Sequence, residues 1–250
     1  MKVAAYQAPL LPAGSMEALP LIRERIDWCE SAGVEILCCP EGVLGGLADY
    51  ALDPAAIAID VEGGTLAEVL APLASHTVTT ILGFTERGRD GRLYNSAVVF
   101  HRGSVAGVHR KLHPAINRSV YAAGDATPVF TVGELTFGIV ICRDSTFAEP
   151  ARRMAAHGAA ALFIPTNNGL PLPKGGAELV QEARACDIAR ATENRMWVIR
   201  ADVAGRAGEL VAHGSSGIVA PDGSVLAAAR PLAPDLVVAE IDPTHRPRSG

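Results

Sequence analysis

A disulfide framework, a membrane-spanning run and a basic surface are all missing from this sequence. Only five cysteines occur in 250 residues (Cys29, Cys38, Cys39, Cys142 and Cys186), an odd number with no CxxC and no framework spacing. A reduced, cytoplasmic compartment is therefore expected. The longest apolar runs, Leu135 to Cys142 and Ala159 to Pro165, fall well short of the roughly 18 residues a membrane helix needs, so no membrane partner is expected. The opening MKVAAYQAPLLPAG has a single lysine and no sustained apolar stretch before Pro9 and Pro12, and reads as a buried first strand, not a secretory leader. With 22 basic against 27 acidic residues the net charge is -5, which excludes a nucleic-acid surface built on counterion release. Metal signatures are lacking too: His109 and His113 stand four apart, but Arg110 occupies the place where a zincin carries glutamate. No metal site is expected.

What is present is apolar material. At 26.0 kDa, with 49% apolar and 20% charged residues, the chain can bury a large core and is expected to form a single domain over 1-250. Those proportions exclude disorder. Lys2 to Gln7 alternates as a strand, and Ser15 to Ser31 carries Leu21, Ile22, Ile26 and Cys29 at helical spacing before Gly33. A strand at Val34 to Cys39 follows. Thr65 and Glu68 then form a capping-box pattern over Leu66, Val69, Leu70 and Leu73, and Val78 to Phe84 is the next strand. RGRDGR, His101-Arg102-Gly103-Ser104 and Gly133-Glu134 each join two strands as a hairpin. Helices are expected at Phe147 to His157 and near Ala177 to Asn194, strands at Ala160 to Ile164, Met196 to Ala201 and Leu236 to Ile241, and a hairpin over His213 to Ala229. This is an α/β chain with mixed sheets and outer helices.

Three polar residues capable of chemistry each end an apolar, strand-like run. Glu41 follows VEILCCP, Lys111 follows SVAGVHR, and Cys142 closes LTFGIVIC. Ligand crevices in open α/β sheets lie at the carboxyl ends of strands, so the three can converge although they stand about 70 and about 30 positions apart. A thiol that attacks a carbonyl, a carboxylate that takes its proton and an ammonium that holds the oxyanion make an acyl-transfer site. After Cys142 the sequence RDSTFAEPARRMAAHG turns straight into a helix, with Thr146 and Glu149 at capping-box spacing. A helix start at the cysteine favours thiolate. Taken singly, Cys142 also suits a core position, and Glu41 and Lys111 suit the surface. The other four cysteines lie in runs that read as core. A serine-hydrolase elbow at Gly214-Ser215-Ser216-Gly217 fails because Ile218 stands where its last glycine belongs.

The segments CCPEG, HRKLHP and ICRDSTFAEPAR resemble the three signature regions of the nitrilase superfamily, the carbon-nitrogen hydrolases. The likeness extends over nearly the whole chain, through KVAAYQAP, GGLADY, RLYNSAVVF, ATENRMWVIRADVAG and GSSGIVAPDGSVLA. It implies a four-layer αββα sandwich and assembly into homodimers or higher homo-oligomers through the helix after the nucleophile. It also implies roles: Glu41 as general base, Lys111 as oxyanion cation, Cys142 as thioester-forming nucleophile and the Arg143 backbone N–H as oxyanion donor.

Glu149 matches an acidic position of the family and equally suits helix capping with Thr146. Asn167 and Asn168 fall where the family lines its pocket, or are turn residues. The Arg143 side chain replaces a common aromatic and either meets a substrate carboxylate or makes a structural ion pair. One departure stands out. The family carries a second glutamate seven positions before the glycine that is here Gly124, and Asn117 occupies that place. Asparagine can hold Lys111 or a substrate amide but brings no negative charge.

The resemblance implies a cofactor-free hydrolase of a small linear amide or N-carbamoyl compound, working through a thioester. The alternatives are a nitrilase acting on a small nitrile, which uses the same residues, and a catalytically weak binding or scaffold protein.

Overall fold

The computed structural model describes residues 1–114, 119–172, 174 and 176–245. In chain order the first half carries β1 (Lys2–Pro9), α1 (Ala18–Ala32), β2 (Ile36–Cys38), β3 (Ile59–Asp60), α2 (Thr65–Leu70), β4 (Thr79–Arg87), β5 (Leu93–His101), β6 (Ser104–Arg110) and β7 (Tyr121–Ala122). The second half carries β8 (Val129–Val132), β9 (Leu135–Ile139), α3 (Ala148–Ala156), β10 (Ala161–Pro165), β11 (Leu170–Pro171), α4 (Glu178–Asn194) and β12 (Trp197–Ala201). It ends with β13 (Val203–Ala207), β14 (Leu210–Ala212), β15 (Gly217–Val219), β16 (Val225–Ala228) and β17 (Asp235–Glu240).

These strands make two mixed sheets. One runs β11-β14-β13-β1-β2-β4-β5-β6, with β17, β3 and β7 branching from it; the other runs β16-β15-β12-β10-β9-β8. Period-two alternation explains how they stack. In β1, Val3 and Ala5 face the second sheet with Ile36, Cys38 and Ile81, meeting Phe137, Ile139, Phe163 and Ile199. Ala4, Tyr6 and Ala8 face the other way, onto Ile22, Ile26 and Cys29 of α1 and Leu66 and Leu70 of α2. The outer side of the second sheet buries Val140, Leu162 and Val198 under Met154 of α3 and Ala191 of α4. The result is a four-layer αββα sandwich. Phe137 and Phe163 meet edge to face with ring centres 5.0 Å apart in its middle layer, each burial worth about 2 kcal/mol.

Helix ends show where local sequence cues hold. Gly33 ends α1 in the left-handed region (φ 70) and its N–H reaches Cys29 O and Glu30 O, a role a side chain would strain. The expected capping boxes do not form. Thr65 is already inside α2, behind Gly64, and Thr146 closes a 3-10 helix (Cys142–Thr146) where its Oγ1 donates to Arg143 O at 2.8 Å. The flank of α3 is Phe147, in extended conformation and without a side-chain cap.

One further reading changes, and one histidine stands apart. Cys186 is half-buried on α4, because the helix gives its inward position to Asp187. His109 faces the middle layer, where both ring nitrogens lack a partner among the described residues and burial pulls its pKa down to about 4.

Candidate active site

The carboxyl ends of β2, β9, β10 and β12 point the same way, and the loops that leave them meet. Glu41 sits in the loop after β2, pressed flat on β4. A methyl group at Gly83 would collide with Gly42 N, Pro40 O and the Cα of Glu41, so glycine is required for this approach. Glu41 N donates to Thr166 O at 3.3 Å, which joins the loops of the two sheets.

The Glu41 side chain is 2% exposed and is held from three sides. Its Oε1 accepts Lys111 Nζ at 2.5 Å and Asn95 Nδ2 at 2.7 Å, and its Oε2 accepts the Asn167 backbone N–H at 3.0 Å. Lys111, equally buried, is fixed through its backbone N–H to Asn95 O at 2.8 Å. Burial alone would pull the Lys111 ammonium down, but the Glu41 carboxylate beside it wins, and its pKa lies above the usual lysine range.

Cys142 starts the 3-10 helix with φ 47, a strained value for a side-chain-bearing residue of the kind found at functional sites. Its Sγ lies 3.8 Å from Asn168 Oδ1. Burial and the Glu41 carboxylate push the thiol up to about 12, against the opposing pull of Lys111 and Arg200. The thiol is therefore neutral at rest. The sequence expectation of a thiolate gives way because desolvation outweighs one short helical turn.

A buried polar frame holds these loops. Asp144 accepts the backbone N–H groups of Leu112 at 3.1 Å, His113 at 2.8 Å and Ile141 at 3.2 Å, so one carboxylate ties the lysine loop to the cysteine turn. Burial raises its pKa against the opposing pull of Lys111 and these donors. Arg200 donates to Asp187 from Nε (2.9 Å) and Nη2 (2.5 Å), to Thr166 Oγ1 at 2.7 Å and to Ser145 Oγ at 3.0 Å. Ser145 Oγ in turn donates to Cys142 O at 2.8 Å. Tyr50, half-buried, has its pKa raised first by burial and then by Asp49, Glu41 and Cys142.

The structure thus brings Glu41, Lys111, Cys142, Asn167 and Asn168 into one cluster. Glu149 is half-exposed and ion-paired with Arg153 one turn along α3, and Arg143 is exposed. Asn117 lies outside the described residues. Among the described residues no three metal-binding side chains gather at one point. Asn95, Asp144, Asp187, Arg200 and Asp202 were missed by sequence reasoning. The signal for Asn95, Arg200 and Asp202 is a polar residue inside or abutting an apolar strand, as in LYNSAVV and MWVIRADV, where burial demands a partner; Asp144 and Asp187, in helical turns, carry no such signal.

Comparison with known proteins gives this cluster a class. The sequence matches the carbon-nitrogen hydrolase family over residues 2–246, and the chain belongs to that family: it is a carbon-nitrogen hydrolase of the nitrilase superfamily. It is 31% identical over 237 residues to the "Hydrolase in pqqF 5'region" of Pseudomonas protegens, covering 92% of this chain and 79% of that one. To the (R)-stereoselective amidase of a Pseudomonas species it is 31% identical over 195 residues, 77% of this chain and 68% of that one. Its fold is similar to that of a cysteine-to-alanine mutant of the Nesterenkonia AN1 amidase from the nitrilase superfamily (TM-score 0.79, 23% identity, 96% of this chain and 90% of the other).

Proposed function

We propose that this enzyme hydrolyses a small linear amide or N-carbamoyl compound, with Cys142 as nucleophile, Glu41 as general base and acid, and Lys111 as the cation that receives the oxyanion. One observation carries the reading: a buried carboxylate and a buried ammonium 2.5 Å apart, both coupled electrostatically to the same thiol. The Pseudomonas amidase supports the amide class.

The chemistry follows from the charges. Because the thiol is neutral at rest, its proton passes to Glu41 as sulfur bonds to the carbonyl carbon, and the C=O π pair moves onto oxygen. Lys111 and the Arg143 backbone N–H hold that oxyanion. When the C=O re-forms, the C–N bond breaks and the leaving nitrogen takes the proton from Glu41, departing as ammonia or an amine. A water then gives a proton to Glu41 and attacks the thioester. Collapse of that second tetrahedral species expels the sulfur, which recovers its proton, and frees the acid.

Ammonia release from a panel of small amides, N-carbamoyl compounds and nitriles tests the proposal. Release is expected from an amide or carbamoyl compound, and none from the Cys142→Ala protein on the same substrate. Release from nitriles alone would replace this reading with a nitrilase.

A further inference from the structure

We propose that Asp202 is a positioning residue that sets which way the Asn168 carboxamide faces, with oxygen toward Cys142, so that the site reads an N–H on the scissile nitrogen and favours amides over esters of the same acid. The inference rests on the amide reading above and deepens it.

An asparagine side chain has two ends of nearly equal shape, and its partners decide which end faces a substrate. Asp202 leaves the carboxyl end of β12 fully buried. Its carboxylate accepts five hydrogen bonds: from Asn168 N (3.0 Å), Asn168 Nδ2 (3.0 Å), Val203 N (2.8 Å), Ser215 N (3.0 Å) and Ser215 Oγ (2.6 Å). The Ser215 hydroxyl spends its proton on Asp202, so it faces Asn168 Nδ2, 3.3 Å away, with a lone pair. Both partners of Nδ2 are therefore acceptors. Turning the amide over would set its oxygen against two acceptors, on the buried Asp202 and Ser215, a costly arrangement. Oδ1 is left to face the thiol at 3.8 Å.

At rest that oxygen accepts the thiol proton. Once the proton has moved to Glu41 the oxygen is free to accept from an N–H on the nitrogen of the bond under attack. An amide nitrogen offers one. An ester oxygen offers none, and sets its lone pairs against those of Oδ1.

The test is the ratio of kcat/KM for a primary amide to that for the methyl ester of the same acid, measured in wild type, Asn168→Ala, Asp202→Asn and Ser215→Ala. The ratio is expected to fall about tenfold in Asn168→Ala and Asp202→Asn, and severalfold in Ser215→Ala, since losing one hydrogen bond costs the amide and not the ester. An unchanged ratio in Asn168→Ala overturns the proposal. An unchanged ratio in folded Asp202→Asn, or in Ser215→Ala where Asp202→Asn does not fold, overturns the positioning role. Affinity of the Cys142→Ala protein for the same amide gives a readout without turnover, with a severalfold loss on adding Asn168→Ala expected and equal affinity contradicting it. A wild-type enzyme that cleaves neither compound sinks the amide reading itself, a result distinct from an unchanged ratio.

Discussion

Lys111→Ala and Glu41→Gln are each expected to lower kcat by about a hundredfold or more, and the double variant to lose little beyond either single one. The two side chains share Glu41 Oε1 as their meeting atom. Removing the ammonium takes away the oxyanion's cation and leaves a carboxylate buried beside the thiol with less compensation. Removing the carboxylate's charge leaves a thiol still raised by burial, with no base to take its proton. Either loss stops the same step, so the effects do not add. Steady-state rates for the four proteins on one amide check this; additive losses, or near-normal activity in one single variant, would separate the pair.

Asp187→Ala is expected to destabilise the fold by about 3–5 kcal/mol, because it strands the Arg200 guanidinium in the interior. Arg200 is 2% exposed and Asp187 fully buried, and the pair links α4 to β12 and, through Ser145 and Thr166, to the cysteine turn and the end of β10. For a chain of this size the melting temperature should fall by about 10 °C. Replacing both partners, as Asp187→Leu with Arg200→Met, should recover much of the loss, since an apolar pair carries no desolvation cost. Denaturant titration of the single and double variants decides it, and an Asp187→Ala protein as stable as wild type would contradict the account of the frame.

The elements nearest the site were legible in the sequence for a local reason. Glu41, Lys111 and Cys142 each end a short apolar run, and such runs form strands whose carboxyl ends collect in an αββα sandwich. Helices α1, α3 and α4 and the hairpins at Gly103 and Gly133 follow from periodicity and turn residues in the same way. The branching of the first sheet was not legible. β1 pairs with β2 and β13 in parallel and with β17 in antiparallel fashion, contacts set by packing between distant segments. The same holds for Cys142, whose helix-start position suggested a thiolate until burial reversed the sign. Asp144 and Asp202 carry no motif in the sequence; only tertiary structure shows Asp144 gathering backbone N–H groups from two segments and Asp202 from three.

The central claim, that Cys142 attacks the substrate carbonyl, is tested most directly by the intact mass of enzyme quenched during turnover of an amide. The account predicts an adduct with the mass of the acyl group, mapped by proteolysis to the peptide bearing Cys142 and missing from the Cys142→Ala protein. Turnover with no acyl adduct on Cys142, or turnover that survives Cys142→Ala, would contradict it.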